Sequence, residues 1–300
     1  MRKIVLLIII LFILLVVSIS ALILMPFNFG GKIAKVYLCN EIYYDYSPSG
    51  FFEKKRDANY YINLLDKLEK DKSVKGVLLI INSPGGEVVA SEELAKKVKE
   101  VSEKKPVVAY IQTIGASGAY MVASSSNYIV AQRHSVVGSI GVRMDIIHFY
   151  GLMKKLGINV TTIKAGKYKD IGSPYRPMTP EEKKILEKMI NETYNYFIMW
   201  VAKNRNLSIN YTKKIAEGKI YLGEDAKKVG LVDEVGDEEV ALKKLEELAN
   251  VTNPTIEEYG LSETSGFFGL DLERLAYYFG YGVGKGLSSV FKELNVKIEG

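Results

Sequence analysis

The chain opens on a block that is apolar throughout and then settles into shorter, periodic segments. Ile4 to Met25 carries no charge, and Ser18 and Ser20 are its only polar residues. About 22 residues at about 1.5 Å each span about 33 Å, enough for the hydrocarbon core of a bilayer. Cleaved leaders have a shorter apolar stretch ended by a small-x-small site. Ser18-Ile19-Ser20-Ala21 imitates such a site, but the apolar run continues past it. The block therefore reads as an uncleaved transmembrane helix over residues 4–25. Arg2 and Lys3 precede it, so the positive-inside tendency leaves residues 1–3 in the cytoplasm. A single-pass protein of the cell membrane is expected, with its bulk extracytoplasmic. Sequons beginning at Asn159, Asn191, Asn206, Asn210 and Asn250 are compatible with that side.

After a linker over 26–34, the pattern becomes that of a folded domain, read as 35–253. Ile33–Cys39 alternates and is rich in β-formers, a first strand. Tyr43–Arg56 holds Pro48 and Gly50 and reads as a loop, and Asn59–Lys72 has helical spacing. Val77–Ile81 and Val107–Ile111 are continuous apolar runs, as in strands buried on both faces. The first ends at Pro84-Gly85-Gly86, followed by a helix to about Glu103; the second ends near Gly115. Ala116–Ser124 reads as a short helix, with strands at Tyr128–Ala131 and Val160–Ile163. Pro180–Lys203 is a long helix with Thr179 as cap, Pro180 in its first position and two glutamates in its first turn. Asp225–Lys228 and the amphipathic Glu238–Ala249 are further helices. Strand, glycine turn, helix, strand is the rhythm of an α/β fold with a largely parallel sheet. Residues 254–300 form a Gly/aromatic tail, too interrupted to cross a membrane: a flexible end, an interfacial segment or an oligomer contact.

Composition narrows the chemistry. The 300 residues are 48% hydrophobic and 25% charged, which suits a globular core. The net charge of +5 is spread over helices where lysines alternate with glutamates, so no nucleic-acid partner is expected. Cys39 is the sole cysteine, which excludes an intrachain disulfide and a cysteine zinc site. His134 and His148 fit no HExxH spacing. No metal and no cofactor is expected.

Nucleophilic chemistry on an acyl group needs a nucleophile, a base and donors for the oxyanion. Ser117 stands among small neighbours in Gly115-Ala116-Ser117-Gly118-Ala119, between a buried strand and a helix start. The Gly118 N–H is free there. The carboxyl ends of neighbouring parallel strands line one crevice, so Gly86, or Gly85, can offer a second N–H. For the base, His134 is one choice, within a triad. A buried, uncharged lysine is another, and Lys164, Lys167 and Lys169 crowd one segment that periodicity cannot resolve.

Five further features occur in order: Ile81-Asn82-Ser83-Pro84-Gly85-Gly86, the Ser117 segment, Val137-Gly138-Ser139-Ile140-Gly141-Val142, Lys169-Asp170-Ile171 with Ser173-Pro174, and Ala216-x-Gly218-x-x-Tyr221-x-Gly223 leading to Gly230-Leu231-Val232-Asp233. Together they resemble the signal peptide peptidase A family, in its short single-copy form, over about Lys35 to Leu248. The resemblance implies a ClpP/crotonase-like fold of repeated β-β-α units. It implies a serine endopeptidase with Ser117 as nucleophile and Lys169 as general base, Ser139 holding the lysine, and Gly86 and Gly118 as the oxyanion hole. It further implies hydrophobic signal-peptide remnants as substrates, the membrane as setting, and a homo-oligomer whose serine and lysine meet across a subunit boundary. Other readings are a related Ser/Lys protease that cuts stomatin-like membrane proteins, or an inactive membrane scaffold of the same fold. The Gly138-Ser139-Ile140-Gly141 loop and the Tyr221-x-Gly223 block favour the first family.

Overall fold

A computed structural model describes residues 30–45 and 56–261. The expected transmembrane segment at 4–25 and the tail from 262 onward lie outside the described residues. Among the described residues, no helix is long and apolar enough to cross a membrane.

Continuous apolar runs place strands in the centre of a sheet, because both faces must then be covered. The central strands β1 (Lys32–Cys39), β2 (Val74–Ser83) and β3 (Val107–Ala116) pair in parallel. In β2, Val77, Leu79 and Ile81 enter one apolar cluster, and Leu78 and Ile80 enter the other, on the opposite face. The helices α1 (Ala58–Lys70), α2 (Val88–Ser102), α3 (Gly118–Ala123) and part of α5 (Pro180–Asn204) cover the first face. Helix α8 (Glu238–Ala249) covers the second through Ala241 and Leu245.

The free edge of β3 is used twice. Its first half pairs with β4 (Tyr128–Ala131) and its second half with β5 (Val136–Gly138), both in parallel. Strand β6 (Ile220–Leu222) runs antiparallel to β5, and the two-residue β7 (Glu234–Val235) extends β4. On the far edge, β8 (Thr255–Tyr259) lies parallel to β1. The boundary read at 253 thus falls just before a strand of the sheet. This mixed sheet with helices on both faces fits a ClpP/crotonase-like core.

Two regions depart from the expected elements. Val160–Ile163 forms no strand: it pairs with no strand of the sheet, and Ile163 is 96% exposed. A strand needs a ladder partner, and β-propensity alone does not supply one. The short helices α4 (Tyr150–Lys155), α6 (Ile209–Ile215) and α7 (Gly223–Lys228) are tied by local turns, of which only the last was expected. The long helix begins as its sequence indicates. Thr179 accepts from the Glu182 amide at 3.2 Å, and Glu182 accepts back from the Thr179 amide at 2.9 Å.

The late Gly230–Asp233 run is a fastening point. Arg205 at the end of α5 donates to both oxygens of Asp233, at 2.9 and 2.7 Å, and to the Gly230 carbonyl at 3.2 Å. Asp233 also accepts the Ile129 amide of β4 at 2.7 Å. The Arg205 side chain is 8% exposed. Removing its partner leaves a buried, unpaired charge. Asp233→Ala should therefore lower unfolding free energy by about 3–5 kcal/mol. Asp225→Ala, which breaks an exposed pair with Lys228, should cost no more than about 0.5 kcal/mol. Urea denaturation of the two variants checks this, and similar small losses in both would contradict it.

Candidate active site

The site begins with a backbone corner. Ser117 joins β3 to α3 with φ 53° and ψ −126°, a conformation that an L-residue holds only under constraint. Its amide donates to the Gly138 carbonyl at 2.8 Å, and its carbonyl accepts from Tyr120 and Met121 at 2.9 and 3.0 Å. Every residue of α3 is buried, and the Tyr120 hydroxyl donates to the Leu231 carbonyl at 2.7 Å. Burial pushes the Tyr120 phenol well above its usual value, with Asp233 adding to it and Arg205 opposing it, so it remains a neutral donor. The corner is thus anchored on both sides, leaving the Ser117 side chain half-buried at the cleft.

The β2 turn backs directly onto this corner, since Ser83 stands opposite Gly115 in the sheet. Gly85 has φ +96°, and a Cβ there would lie 2.6 Å from the Gly118 nitrogen. Its N–H donates to Ser83 Oγ at 3.2 Å, and its carbonyl accepts from Ile42 at 2.9 Å. Gly86 bridges Ile42, and a Cβ on it would lie 2.0 Å from the Ile42 oxygen. Among the described residues, the amides of Gly86 and Gly118 have no acceptor. A Cβ on Gly118 would stand 3.5 Å from the Gly86 nitrogen, so the two free N–H groups belong to one small volume. Between Gly85 and Gly86, the geometry leaves Gly86 available, because Gly85 has already spent its donor.

Ser139 faces the same cleft with φ 50°, after Gly138 at φ +98°. Its amide donates to the Lys219 carbonyl at 2.7 Å, and the Gly218 amide donates to Ile140 at 2.9 Å. The Tyr221 hydroxyl fixes the return strand on Ile215 at 2.6 Å. The Ala216–Gly223 run therefore braces the loop that carries Ser139. The cleft holds about 770 Å³ and is lined by Gly86, Ser117, Gly118 and Ser139. Val88, Met121 and Phe197 give it apolar walls.

Lys169 is not among the cleft-lining residues of this chain. It is exposed, on an arm between Ile140 and Glu182 in which no residue is buried. The arm is nonetheless held in shape. Arg176 donates to both oxygens of Asp170, at 2.9 and 2.8 Å, and to Glu182 Oε2 at 2.8 Å. Arg176 holds the Asp170 carboxyl far below the usual carboxylate range, with Lys164 adding to it. Arg176 and the Thr179 amide lower that of Glu182 to about 2. Both acids stay ionised near neutrality, and the residue next to Lys169 is pinned to the start of α5. His134 is exposed and lies outside the cleft, and His148 packs edge-on against Tyr150 at 5.9 Å. One chain therefore assembles Ser117, Gly86, Gly118 and Ser139, without Lys169 and without a histidine.

Sequence reasoning passed over Ser91, which the structure places in this cleft. It sits on the core-facing side of α2 with Ala90, Leu94 and Ala95. A small polar residue on an otherwise apolar face was the available signal.

The chain matches the model of peptidase family S49 over residues 99–252. It is similar to a putative protease of Methanocaldococcus jannaschii, 64% identical over 100% of this chain and 99% of that protein. It is 36% identical to a putative signal peptide peptidase of Enterococcus faecium, over 79% of this chain and 69% of that one. Protease 4 of Haemophilus influenzae is 32% identical over 68% of this chain and 33% of its own length.

The contact between the two turns can be tested at Gly85. Gly157 also has positive φ, at +72°, but nothing lies within 4 Å of a Cβ placed there. Gly157→Ala should cost about 1–2 kcal/mol from backbone strain alone. Gly85→Ala adds about 1–3 kcal/mol of overpacking and should also abolish fluorophosphonate labelling of Ser117. Equal stability losses with labelling retained in both would contradict the geometry.

Proposed function

The chain belongs to peptidase family S49, and from that membership we propose a membrane-anchored endopeptidase whose catalytic pair, Ser117 and Lys169, is completed between two copies of the chain. Membership makes it a serine protease. The observation that carries the finer reading is the division of the site. Ser117 stands beside two unpaired amides in a walled cleft, whereas Lys169 stands on an arm that buries nothing within its own chain.

The arm also exposes Met144, Ile147, Phe149, Leu152, Leu156, Ile158, Val160 and Ile163, each about half exposed or more. So many exposed apolar side chains on one arm support its use as a protein interface. Covered by a neighbouring copy, it delivers Lys169 to a cleft and removes the amine from water, which favours its uncharged form. Ser139 Oγ would then hold the amine toward Ser117.

In this mechanism, neutral Lys169 accepts the Ser117 proton as Oγ attacks the scissile carbonyl. The carbonyl oxygen becomes an oxyanion facing the Gly86 and Gly118 amides. Protonated Lys169 gives its proton to the leaving amine, and water hydrolyses the acyl-enzyme by the same relay. The apolar cleft walls suit hydrophobic peptides. The similarity to a putative signal peptide peptidase supports membrane-bound signal-peptide remnants as substrates. The apolar segment at 4–25 supports the anchor and an extracytoplasmic site.

Purified protein should cleave a hydrophobic peptide. Ser117→Ala and Lys169→Ala should each lower kcat by about 10⁴-fold or more, as removal of one member of a catalytic unit does. His134→Ala should leave kcat unchanged. Full activity in Lys169→Ala, or loss in His134→Ala, would overturn the pair.

A further inference from the structure

The arm around Lys169 is dense in charge. Lys164, Lys167 and Arg176 stand against Asp170, Glu181 and Glu182, and ion pairs engage all six. Lys164 and Arg176 share Asp170, Lys167 takes Glu181, and Arg176 takes Glu182 as well. Of the three lysines in the segment, Lys169 is the one with no carboxylate within 4 Å among the described residues.

The cleft repeats the arrangement. The charged residues that line it are Glu92, Arg143 and Glu217. Glu92 pairs with Lys96 at 2.7 Å, Glu217 with Lys219 at 2.9 Å and Arg143 with Asp145 at 3.1 Å. A lysine carried to such a cleft by a neighbouring copy meets no carboxylate that lacks a cation of its own.

Exposed ion pairs are weak one at a time, so the pattern leans on its best-built member. Arg176 donates to Asp170 Oδ2 at 2.9 Å, to Asp170 Oδ1 at 2.8 Å and to the Asp170 carbonyl at 3.2 Å. It also donates to Glu182 Oε2 at 2.8 Å, and Glu182 is buried and locked into the cap of α5. A planar fork between two carboxylates is a geometry that lysine does not supply. Asp170 follows Lys169 directly in the chain. Released from Arg176, its carboxylate is the anion closest in sequence to the amine, and an opposite charge within about 4–6 Å favours the protonated form. A protonated amine accepts no proton from Ser117.

We propose that Arg176 keeps Lys169 able to act as the base by holding Asp170 and Glu182 away from it. Arg176 is thus a positioning residue, touching neither the substrate nor the serine. This rests on the Ser117–Lys169 reading above.

The test is the pH dependence of kcat for the purified full chain on one hydrophobic peptide. Wild-type kcat should rise with pH as the amine loses its proton. In Arg176→Gln the rise should move up by about one pH unit. Below the rise kcat then falls about tenfold, with KM within about twofold of wild type. Adding Asp170→Asn to Arg176→Gln should return the rise to its wild-type position. A merely structural Arg176 gives a different result: lower kcat at every pH, an unmoved rise, and further loss when Asp170 is replaced too. Arg176→Lys keeps the charge without the fork and should shift the rise the same way by less, which serves should the glutamine variant fail to assemble. A rise at the wild-type position in every assembled Arg176 variant, or one that Asp170→Asn fails to return, overturns the proposal and leaves the catalytic pair standing. Full activity in Lys169→Ala removes both.

Discussion

Two glycine turns pressed against a strained serine are what the site depends on. The room between Gly85 and Gly118 is too small for a methyl group, with 2.6 Å from a Gly85 Cβ to the Gly118 nitrogen. That closeness puts two spare amides on one spot. Parallel pairing of β2 and β3 brings the turns together, and the buried α3 keeps Ser117 at positive φ against a cost of about 1–3 kcal/mol. Core packing, sheet register and the candidate oxyanion hole are therefore one structure. The Gly230–Asp233 run belongs to it too, because it holds Tyr120 of α3 from the far side.

The arm follows a different logic. Its shape is set by charge, through Arg176 clamped between Asp170 and Glu182, whereas its apolar residues point outward. In the proposed assembly a neighbouring copy covers this segment, which is shaped without a core and lined with exposed apolar groups. Under the proposed pairing between copies, the lysine becomes a base only when the particle assembles. An isolated chain would then have a nucleophile and an oxyanion hole but no proton acceptor, which guards against stray proteolysis.

Much of the sheet was legible in the sequence. Val77–Ile81 and Val107–Ile111 announce buried parallel strands because alternate residues face two cores. Thr179, Pro180 and Glu182 announce the long helix because capping is local. The strand expected at Val160–Ile163 was not found, since β-propensity is silent about whether a partner exists. Strands β5 to β8 escaped for the opposite reason: two to five residues of pattern are too few, and neighbours from afar make them strands. Among the site residues, spacing alone drew attention to Ser117, Gly86 and Gly118. It could not separate Lys164, Lys167 and Lys169, and the single chain leaves that choice to the family resemblance. Ser91 went unseen because its meaning lies in a contact with Gly118, twenty-seven positions away.

Mixing two inactive variants tests the central claim most directly. If serine and lysine come from different copies, co-assembled Ser117→Ala and Lys169→Ala chains regain sites that pair an intact serine with an intact lysine. Random assembly of equal amounts should restore about a quarter of wild-type activity, since each partner is correct half the time. Mixed particles that stay as inactive as either variant alone would contradict a catalytic pair shared between copies.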